Sequence, residues 1–291
     1  MRFLFKGYTL LIILVILSIL SLFIGVSQLS IIDLFHLSDN QKNILFSSRI
    51  PRTISILLSG SSLALAGLVM QQMMQNKFVS PTTAGTMEWA KLGILLSLIF
   101  FPKGHILIKL TFAVALSLGG TFLFVKLINF IKVKEVIFVP LLGIMIGGIV
   151  SSFTTFIALR TNALQSIDNW LNGNFAVITS GRYEILYLAI PLLIIAYIFA
   201  NHFTIAGMGK DFSHNLGVKY EQIISIALLI TATLTALVVV TVGTLPFLGL
   251  IVPNIISMYR GDHLKNALPH TLMLGSIFVS VSYTHLTLPT K

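Results

Sequence analysis

The chain has 291 residues, of which 56% are hydrophobic and 10% charged, and its formal net charge is +10. This composition excludes an ordinary soluble domain, and the basic residues are scattered among loops, which favours contact with anionic lipid over a nucleic-acid partner. Because the chain contains no cysteine, disulfides and cysteine-ligated metal centres within it are excluded as well.

Several apolar runs reach the roughly 20 residues that a helix needs to cross a bilayer. Their pattern predicts an all-α, polytopic integral membrane protein. Nine helices are predicted, near residues 8–26, 53–75, 89–101, 106–128, 136–159, 184–200, 222–242, 246–258 and 268–281. The first helix resembles a secretory signal, but no clean cleavage site follows it, so we expect a retained span.

Two of these helices, the third and the eighth, are too short for ordinary perpendicular spans. The eighth lies within residues 243–263, an apolar stretch that Pro246, Gly249 and Pro253 interrupt, and we expect a short or broken helix there. In lipid such a break survives only where protein or a cavity takes up the freed backbone groups. This favours a transport protein over a simple anchor, although short helices buried inside a bundle give the same pattern.

The placement of charge gives a weak orientation and one exclusion. A cytoplasmic N-terminus leaves slightly more lysine and arginine at the inner ends of the helices, which is the bias expected of membrane proteins. All nine acidic residues fall in loops or near the ends of predicted helices. Ion-coupled transporters usually carry carboxylates or histidines inside their spans, so this pattern argues against ion coupling and against a pathway for bare metal ions.

Residues 207–210, Gly-Met-Gly-Lys, resemble part of a phosphate-binding loop. The complete motif needs a glycine where the chain has Thr204, and a serine or threonine where it has Asp211. The match fails, so we expect no ATP hydrolysis by this chain. It is predicted to be a transport subunit and not an enzyme, with no cofactor and no metal site, that borrows the ATPase of a partner.

Several short blocks are informative through the order in which they occur. They are Arg49-Ile50-Pro51-Arg52, the small-residue run 59–67, Gln71-Gln72, residues 76–85, His214-Asn215-Leu216-Gly217-Val218, residues 246–253, Gly261-Asp262-His263 and Leu268-Pro269. Over roughly residues 8–280 this succession resembles the iron-siderophore and vitamin B12 (FecCD-type) permease family of ABC importers. The chain departs from the family pattern at residues 76–79, Asn-Lys-Phe-Val in place of Asn-Pro-Leu-Ala, and at Asn254, where the family commonly has histidine. Residues 75–91 resemble the branch that imports catecholate-type siderophores such as petrobactin or anguibactin.

The resemblance implies a multi-pass permease of the bacterial cell membrane, with a cytoplasmic N-terminus and about ten helices in its complete form. Its partners would be a cytoplasmic ABC ATPase dimer, an extracellular substrate-binding lipoprotein, a second permease subunit of the same or a similar kind, and membrane lipid. The substrate would be a ferric siderophore that moves inward by alternating access. The alternatives are a permease of the same kind for cobalamin or haem, and an ion-coupled secondary transporter.

The resemblance also implies roles for individual residues. Arg49 and Arg52 are expected at the outer face, paired with glutamates of the binding protein, unless they are ordinary arginines at a helix end. The segment that contacts the ATPase is expected to contain Asp211, Phe212, His214, Leu216, Gly217 and Val218, with a solvated loop as the alternative. Pathway and gating positions are expected at Gly60, Gly67, Pro81, Gly85, Gly249, Pro253 and Asn254. Residues 170–173, Trp-Leu-Asn-Gly, resemble the family's outer W-x-x-G segment, although tryptophan is also common at membrane interfaces.

The C-terminal residues differ in character from the predicted helix before them. Residues 281–291 are largely polar and resemble the translation of a sequencing-library adaptor. We therefore expect a transmembrane permease domain over residues 1–280, cut within its ninth helix, and a non-native tail over residues 281–291. No functional role is assigned to that tail, and the family's last outer arginine and tenth helix are expected to be missing.

Overall fold

The computed structural model describes residues 5–23, 38–131 and 135–287. Within these ranges the chain is helical and contains no strand, which confirms the all-α prediction for this part. Numbered in chain order, the helices are α1 (Gly7–Phe23), α2 (Asp39–Met73), α3 (Thr86–Phe100), α4 (Ile106–Ile131), α5 (Phe138–Arg160), α6 (Leu164–Leu171), α7 (Tyr183–Ile198), α8 (Ala200–Ala206), α9 (Lys210–Asn215), α10 (Tyr220–Thr241), α11 (Leu248–Arg260) and α12 (Leu264–Thr287). A 3-10 turn at Phe175–Val177 lies between α6 and α7.

Four helices of the described ranges, α2, α4, α5 and α10, are long and apolar enough to cross a membrane. The pair α7 and α8 meets the same test when it is taken as one span with a 60° bend. The 17-residue α1, the 15-residue α3 and the 13-residue α11 are shorter. The chain is therefore a multi-pass membrane protein, whereas the number of nine spans stays a prediction.

The long helix α2 lies at the centre of the bundle, where it packs against α10, α11 and α12. In the most apolar 18-residue segment of α2, 83% of the residues are buried. The same fraction is 28% in α4 and in α5, so most of their surface is not covered by other helices of the chain. The small residues of its middle part, Ser59, Gly60, Ser62, Ala64 and Gly67, are all buried. Small side chains let helix backbones approach closely in a bilayer, which explains how one helix contacts so many neighbours.

Helix α2 begins at Asp39 and not near residue 53, as the apolar pattern predicts. Ser38 caps it, because the backbone N–H of Gln41 donates to Ser38 Oγ at 3.3 Å and Ser38 N donates to Gln41 Oε1 at 2.9 Å. A π-helical turn at Leu45–Arg49 joins this polar first part to the apolar remainder. A search for apolar runs misses the polar start, but the Ser-x-x-Gln spacing of a capping box was a readable signal.

Two further helices differ from their predicted bounds. α3 begins at Thr86, directly after Gly85, whose φ of 76° is a left-handed value that glycine adopts without strain. α12 begins at Leu264 and continues to Thr287, beyond the predicted end near residue 281. Residues 281–287 are thus helical, residues 288–291 lie outside the described ranges, and the non-native origin of this tail stays a prediction.

Candidate functional site

The interrupted stretch after α10 forms a tight connection followed by a short helix, as predicted. Positive φ angles of 100° at Gly243 and 64° at Phe247 turn the chain from α10 into α11. The backbone N–H and the hydroxyl of Thr244 both donate to the carbonyl of Leu171 in α6, at 3.0 and 3.2 Å. Polar groups freed by the break are therefore bonded within the protein, as a lipid environment requires.

Three of the predicted pathway residues meet where α2 crosses α11. A Cβ on Gly67 would lie 1.8 Å from the carbonyl oxygen of Gly249. A Cβ on Gly249 would lie 2.8 Å from the carbonyl oxygen of Leu63 and 3.2 Å from Cδ of Pro81. Any side chain at either glycine would overlap backbone atoms, so the close approach of α2, α11 and the loop after α2 depends on both glycines.

The other predicted pathway residues lie at separate contacts. Gly60 packs against Gly275 of α12, where a Cβ on Gly60 would lie 2.6 Å from the Gly275 oxygen. Gly85 lies against Gly147 of α5, and Pro253 is buried within α11. Within the described ranges the predicted set is thus divided among several helix contacts and does not surround a single cavity.

Asn254 belongs to a polar cluster at the end of α11. Its Nδ2 donates to the carbonyl of Lys77 at 2.9 Å. The ammonium group of Lys77 pairs with Asp262 and donates to Ser257 Oγ at 2.7 Å, and Ser257 Oγ donates to Asp262 Oδ1 at 2.5 Å. Burial raises the pKa of Asp262, but the hydrogen bonds from Lys77 and Ser257 outweigh burial and hold this pKa below its ordinary value. The cluster fastens the loop after α2 to the end of α11.

Glu88 lies in the first turn of α3, as the expectation that acidic residues lie near helix ends requires, but this end of α3 packs beside the middle of another helix. The loop after α2 starts beside the N-terminal end of α5, where Asn76 Nδ2 donates to the carbonyl of Val136 at 2.7 Å. It then folds back, and Gly85 and Glu88 lie beside Gly147 of α5. Gly147 lies nine residues after Phe138, the first residue of α5, or about 14 Å along the helix. The start of α3, which contains Glu88, therefore lies beside the middle of α5. The sequence alone cannot reveal this, because it does not show how the loop folds back.

The predicted coupling residues lie in and around α9. Asp211, Phe212, His214, Leu216 and Gly217 are exposed, and Val218 is half-buried. The turn after α9 depends on Gly217, whose φ is 72°. A Cβ on Gly207 would lie 2.2 Å from Gln72 Nε2, so this segment lies at the C-terminal end of α2. No group of three or more histidine or carboxylate side chains suited to a metal is found here or elsewhere in the described ranges.

An apolar stripe in this segment was only partly predicted. Met208, Phe212 and Leu216 are 56%, 47% and 54% exposed and follow one another at intervals of four residues. The spacing places Phe212 and Leu216 on one side of α9 and of the turn that follows it, whereas Met208 precedes Gly209, whose φ is 107°, and lies outside the helix. A hydrogen bond from Lys210 to Glu221 at 2.8 Å ties α9 to the start of α10 and raises the pKa of Lys210. The stripe thus consists of exposed apolar side chains in and beside an anchored helix.

Arg49 and Arg52 are buried, with exposed fractions of 4% and 7%. Arg52 donates from Nη2 to the carbonyl of Ser21 in α1 at 2.5 Å, and its guanidinium lies 5.3 Å from the ring centroid of Tyr283 in α12. The two arginines therefore pack among helices of this chain. Their pairing with an external partner stays a prediction, and it requires access to side chains that this arrangement encloses.

A second basic group lies beside Trp170, within the predicted W-x-x-G segment. The guanidinium of Arg182 lies 4.2 Å, and the ammonium of Lys109 4.7 Å, from the Trp170 ring centroid. Trp170 Nε1 donates to the carbonyl of Val240 at 2.9 Å. Next to this segment, a cavity of about 310 Å³ is lined in part by Gly173 and by residues 245–248 of the interrupted stretch. The W-x-x-G segment and the interrupted stretch therefore form one structural region.

A comparison with protein families decides the assignment. The model of the FecCD transport family matches residues 12–289. The chain belongs to the FecCD transport family. This confirms the family that the order of its short motifs predicted.

Similar proteins narrow the assignment to one branch of the FecCD family. The chain is 55% identical to the petrobactin import system permease protein YclN of Bacillus subtilis (strain 168), over 92% of this chain and 85% of that protein. It is 36% identical to the ferric-anguibactin transport system permease protein FatD of Vibrio anguillarum (strain ATCC 68554 / 775), over 88% of this chain and 82% of that protein. The siderophore branch that residues 75–91 predicted is thus the branch of these relatives.

A solved structure supports the FecCD fold. An inward-facing ABC transporter described as of the metal-chelate type matches with a TM-score of 0.80 and 23% identity, over 96% of this chain and 89% of that chain. Two of the positions at which this FecCD chain departs from the family pattern are in contact, because Asn254 Nδ2 donates to the backbone carbonyl of Lys77.

Proposed function

We propose that this FecCD-family chain is the permease subunit of a binding-protein-dependent ABC importer for a catecholate-type ferric siderophore. It moves the substrate inward by alternating access and performs no covalent chemistry itself. A cytoplasmic ABC ATPase dimer supplies the energy, an extracellular lipoprotein delivers the substrate, and a second permease subunit completes the pathway. The subunit lies in a bacterial cell membrane with its N-terminus in the cytoplasm.

One observation carries the substrate class. A relative named for petrobactin import is 55% identical over 92% of this chain, and relatives named for petrobactin and anguibactin follow at 40% and 36%. Identity of this extent includes the helices that form the bundle as well as its loops. The catecholate-type ferric chelate is therefore the substrate that we assign.

The stripe Met208, Phe212 and Leu216 is the surface that we assign to the ATPase. It is apolar and exposed, and it lies at the end of α2 that also holds the Lys77–Asp262 cluster. A groove on the ATPase that covers these side chains removes apolar surface from water, which stabilises the contact. Movement of α9 is then transmitted to α11 through α2, because the backbones of α2 and α11 are in direct contact at Gly67 and Gly249.

A gene disruption tests the proposed function. Cells that lack this permease and are starved of iron should fail to grow on a ferric catecholate siderophore and should recover when the intact gene is returned. Growth on haem, and uptake of labelled cobalamin, should not depend on the gene. Unchanged siderophore uptake in the disrupted strain, or a defect confined to haem or cobalamin, would reject the assignment.

The source of energy separates the ABC importer from an ion-coupled transporter. Uptake should stop when cellular ATP is depleted while the membrane potential is maintained. It should continue when an uncoupler collapses the proton gradient in cells whose ATP supply is preserved. The opposite pattern would indicate ion coupling, for which Glu88 would then be the first residue to examine.

A further inference from the structure

Helix α3 carries an ion pair in the interior of the bundle. Lys91 Nζ lies 2.7 Å from Glu88 Oε1, and the exposed fractions of the two side chains are 21% and 24%. A Cβ on Gly147, the tenth residue of the 23-residue α5, would lie 3.4 Å from Glu88 Cγ. On the other side of α3, the Trp89 ring packs against Gly120, the fifteenth residue of the 26-residue α4. Both neighbours place the pair near the middle of a span.

Such a pair is unfavourable against lipid. Charged side chains at mid-membrane depth almost always face protein or water, because hydrocarbon solvates them poorly. Glu88 Oε2 is shielded from solvent and has no hydrogen-bond partner among the described residues. Neither side chain is fully enclosed, and a charged pair at this depth is tolerated where its open part faces protein or water and not hydrocarbon. The pair adjoins α5 at Gly147, beside which Ile144, Gly148 and Ile149 are also exposed.

We propose that Lys91 lines the translocation pathway and contacts the anionic oxygens of the ferric chelate at mid-membrane, with Glu88 as its positioning residue. This inference rests on the proposed function. A ferric complex of catecholate and carboxylate groups presents negatively charged oxygens, and an ammonium group donates hydrogen bonds to such oxygens. Glu88 neutralises Lys91 when the pathway is empty. A site that exchanges an internal partner for the ligand binds it without trapping it, as conduction requires.

Cysteine labelling tests the location of Lys91. Because the chain has no cysteine of its own, Lys91→Cys gives a single thiol in this subunit, and the labelling is read from the band of this subunit after the importer is separated by electrophoresis. A charged, membrane-impermeant thiosulfonate should label it in the absence of substrate, and the ferric siderophore delivered by the binding protein should slow that labelling. The matched control is Phe122→Cys, since Phe122 lies two residues from Gly120 and is 61% exposed. Equal labelling of the two thiols, or an unreactive Lys91→Cys, would overturn the proposal.

Kinetics test the role of the charge. Lys91→Met should lower siderophore uptake about tenfold, because hydrogen bonds to charged groups are worth more than neutral ones, while Lys91→Arg should retain most of the uptake. The ATPase activity stimulated by the binding protein should persist in both variants. Glu88→Gln, which leaves Lys91 uncompensated, should lower the KM and the maximum rate together, whereas a merely structural role would lower the amount of folded transporter. Wild-type uptake by Lys91→Met would refute the contact.

The two experiments separate this inference from the proposed function. If the unmodified importer fails to transport ferric siderophore, the proposed function is wrong. The labelling of Lys91→Cys relative to Phe122→Cys still reports whether the ion pair faces an aqueous pathway. If uptake is normal but Lys91→Cys is unreactive, only the role of the ion pair is wrong.

Discussion

Gly67 and Gly249 show how single residues set the packing of the bundle. Their backbones approach so closely that a Cβ on Gly67 would lie 1.8 Å from the Gly249 oxygen. Side chains elsewhere in the bundle can adjust their rotamers, but two backbones in contact cannot. The crossing of α2 and α11 is therefore the contact most sensitive to a small substitution.

Gly67→Ala should destabilise the protein by about 2 kcal/mol, the usual scale for overpacking a close contact. The change should appear as a lower thermal unfolding midpoint of the detergent-solubilised protein and as slower uptake. Gly119→Ala is the matched control, because a Cβ on Gly119 meets no atom within 4 Å. An alanine at Gly67 that is as harmless as one at Gly119 would contradict the observed crossing.

Charge reversal tests the docking role of the buried arginines. If Arg49 and Arg52 pair with glutamates of the binding protein, Arg49→Glu with Arg52→Glu should abolish uptake. Changing the matching glutamates to arginine should then restore it, since complementary charge sets the docking register. Because both arginines are buried, with exposed fractions of 4% and 7%, loss of uptake alone is not sufficient. Lost uptake that the reversed binding protein fails to rescue would reject docking in favour of a structural role.

The Asp262 carboxylate gives a pH-dependent prediction. Its folded-state pKa is lowered from 3.8, so its stabilising effect is present above that value and is lost as the pH falls through the folded pKa. The unfolding midpoints of the unmodified protein and Asp262→Asn should therefore differ most near neutral pH and converge in acid. Asp39→Asn is the control, because the side chain of Asp39 is 98% exposed in its pair with Lys42. A difference that grows in acid would contradict the sign.

At the scale of elements, the apolar pattern predicts where the long helices lie. It does not predict how far along a neighbouring helix a given side chain lies. α10 and the interrupted α11 follow from composition and proline placement. The position of Glu88 does not, because it depends on a loop that folds back beside α5. The surroundings of Arg52 are equally hidden, since they include contacts with α1 and α12 that lie far away in sequence. The sequence therefore identified the family motifs but not the helices that their side chains contact.

The short helix α9 provides the prediction at this scale. Phe212→Ala with Leu216→Ala should weaken association with the ATPase about tenfold or more, since each side chain buries apolar surface on docking. Stability should change little, because these side chains are 47% and 54% exposed. Phe100→Ala, at an exposed aromatic residue of α3 distant from this end, is the control. Affinity of the purified subunits should be measured. Equal effects of the control and the double variant would reject the docking surface.

At the scale of the whole molecule, one end of the bundle is linked to its interior through continuous packing. The coupling segment lies at the end of α2 near Gln72, and the Lys77–Asp262 cluster fastens the adjoining loop to α11. The same loop continues to Gly85 and Glu88 at mid-span. An ATPase bound at α9 would thus act on a rigid path that ends at the ion pair. We propose that this connection carries the movement of the ATPase to the substrate pathway.

Reconstituted uptake tests the central claim most directly. The permease, its partner permease and the ATPase dimer are placed in proteoliposomes with ATP inside, and the binding protein loaded with ferric catecholate siderophore is added outside. We predict iron accumulation that requires the binding protein and hydrolysable ATP and that persists when ion gradients are dissipated. Accumulation that requires an ion gradient but no ATP, or no accumulation by an assembled complex that hydrolyses ATP in response to the loaded binding protein, would contradict the account.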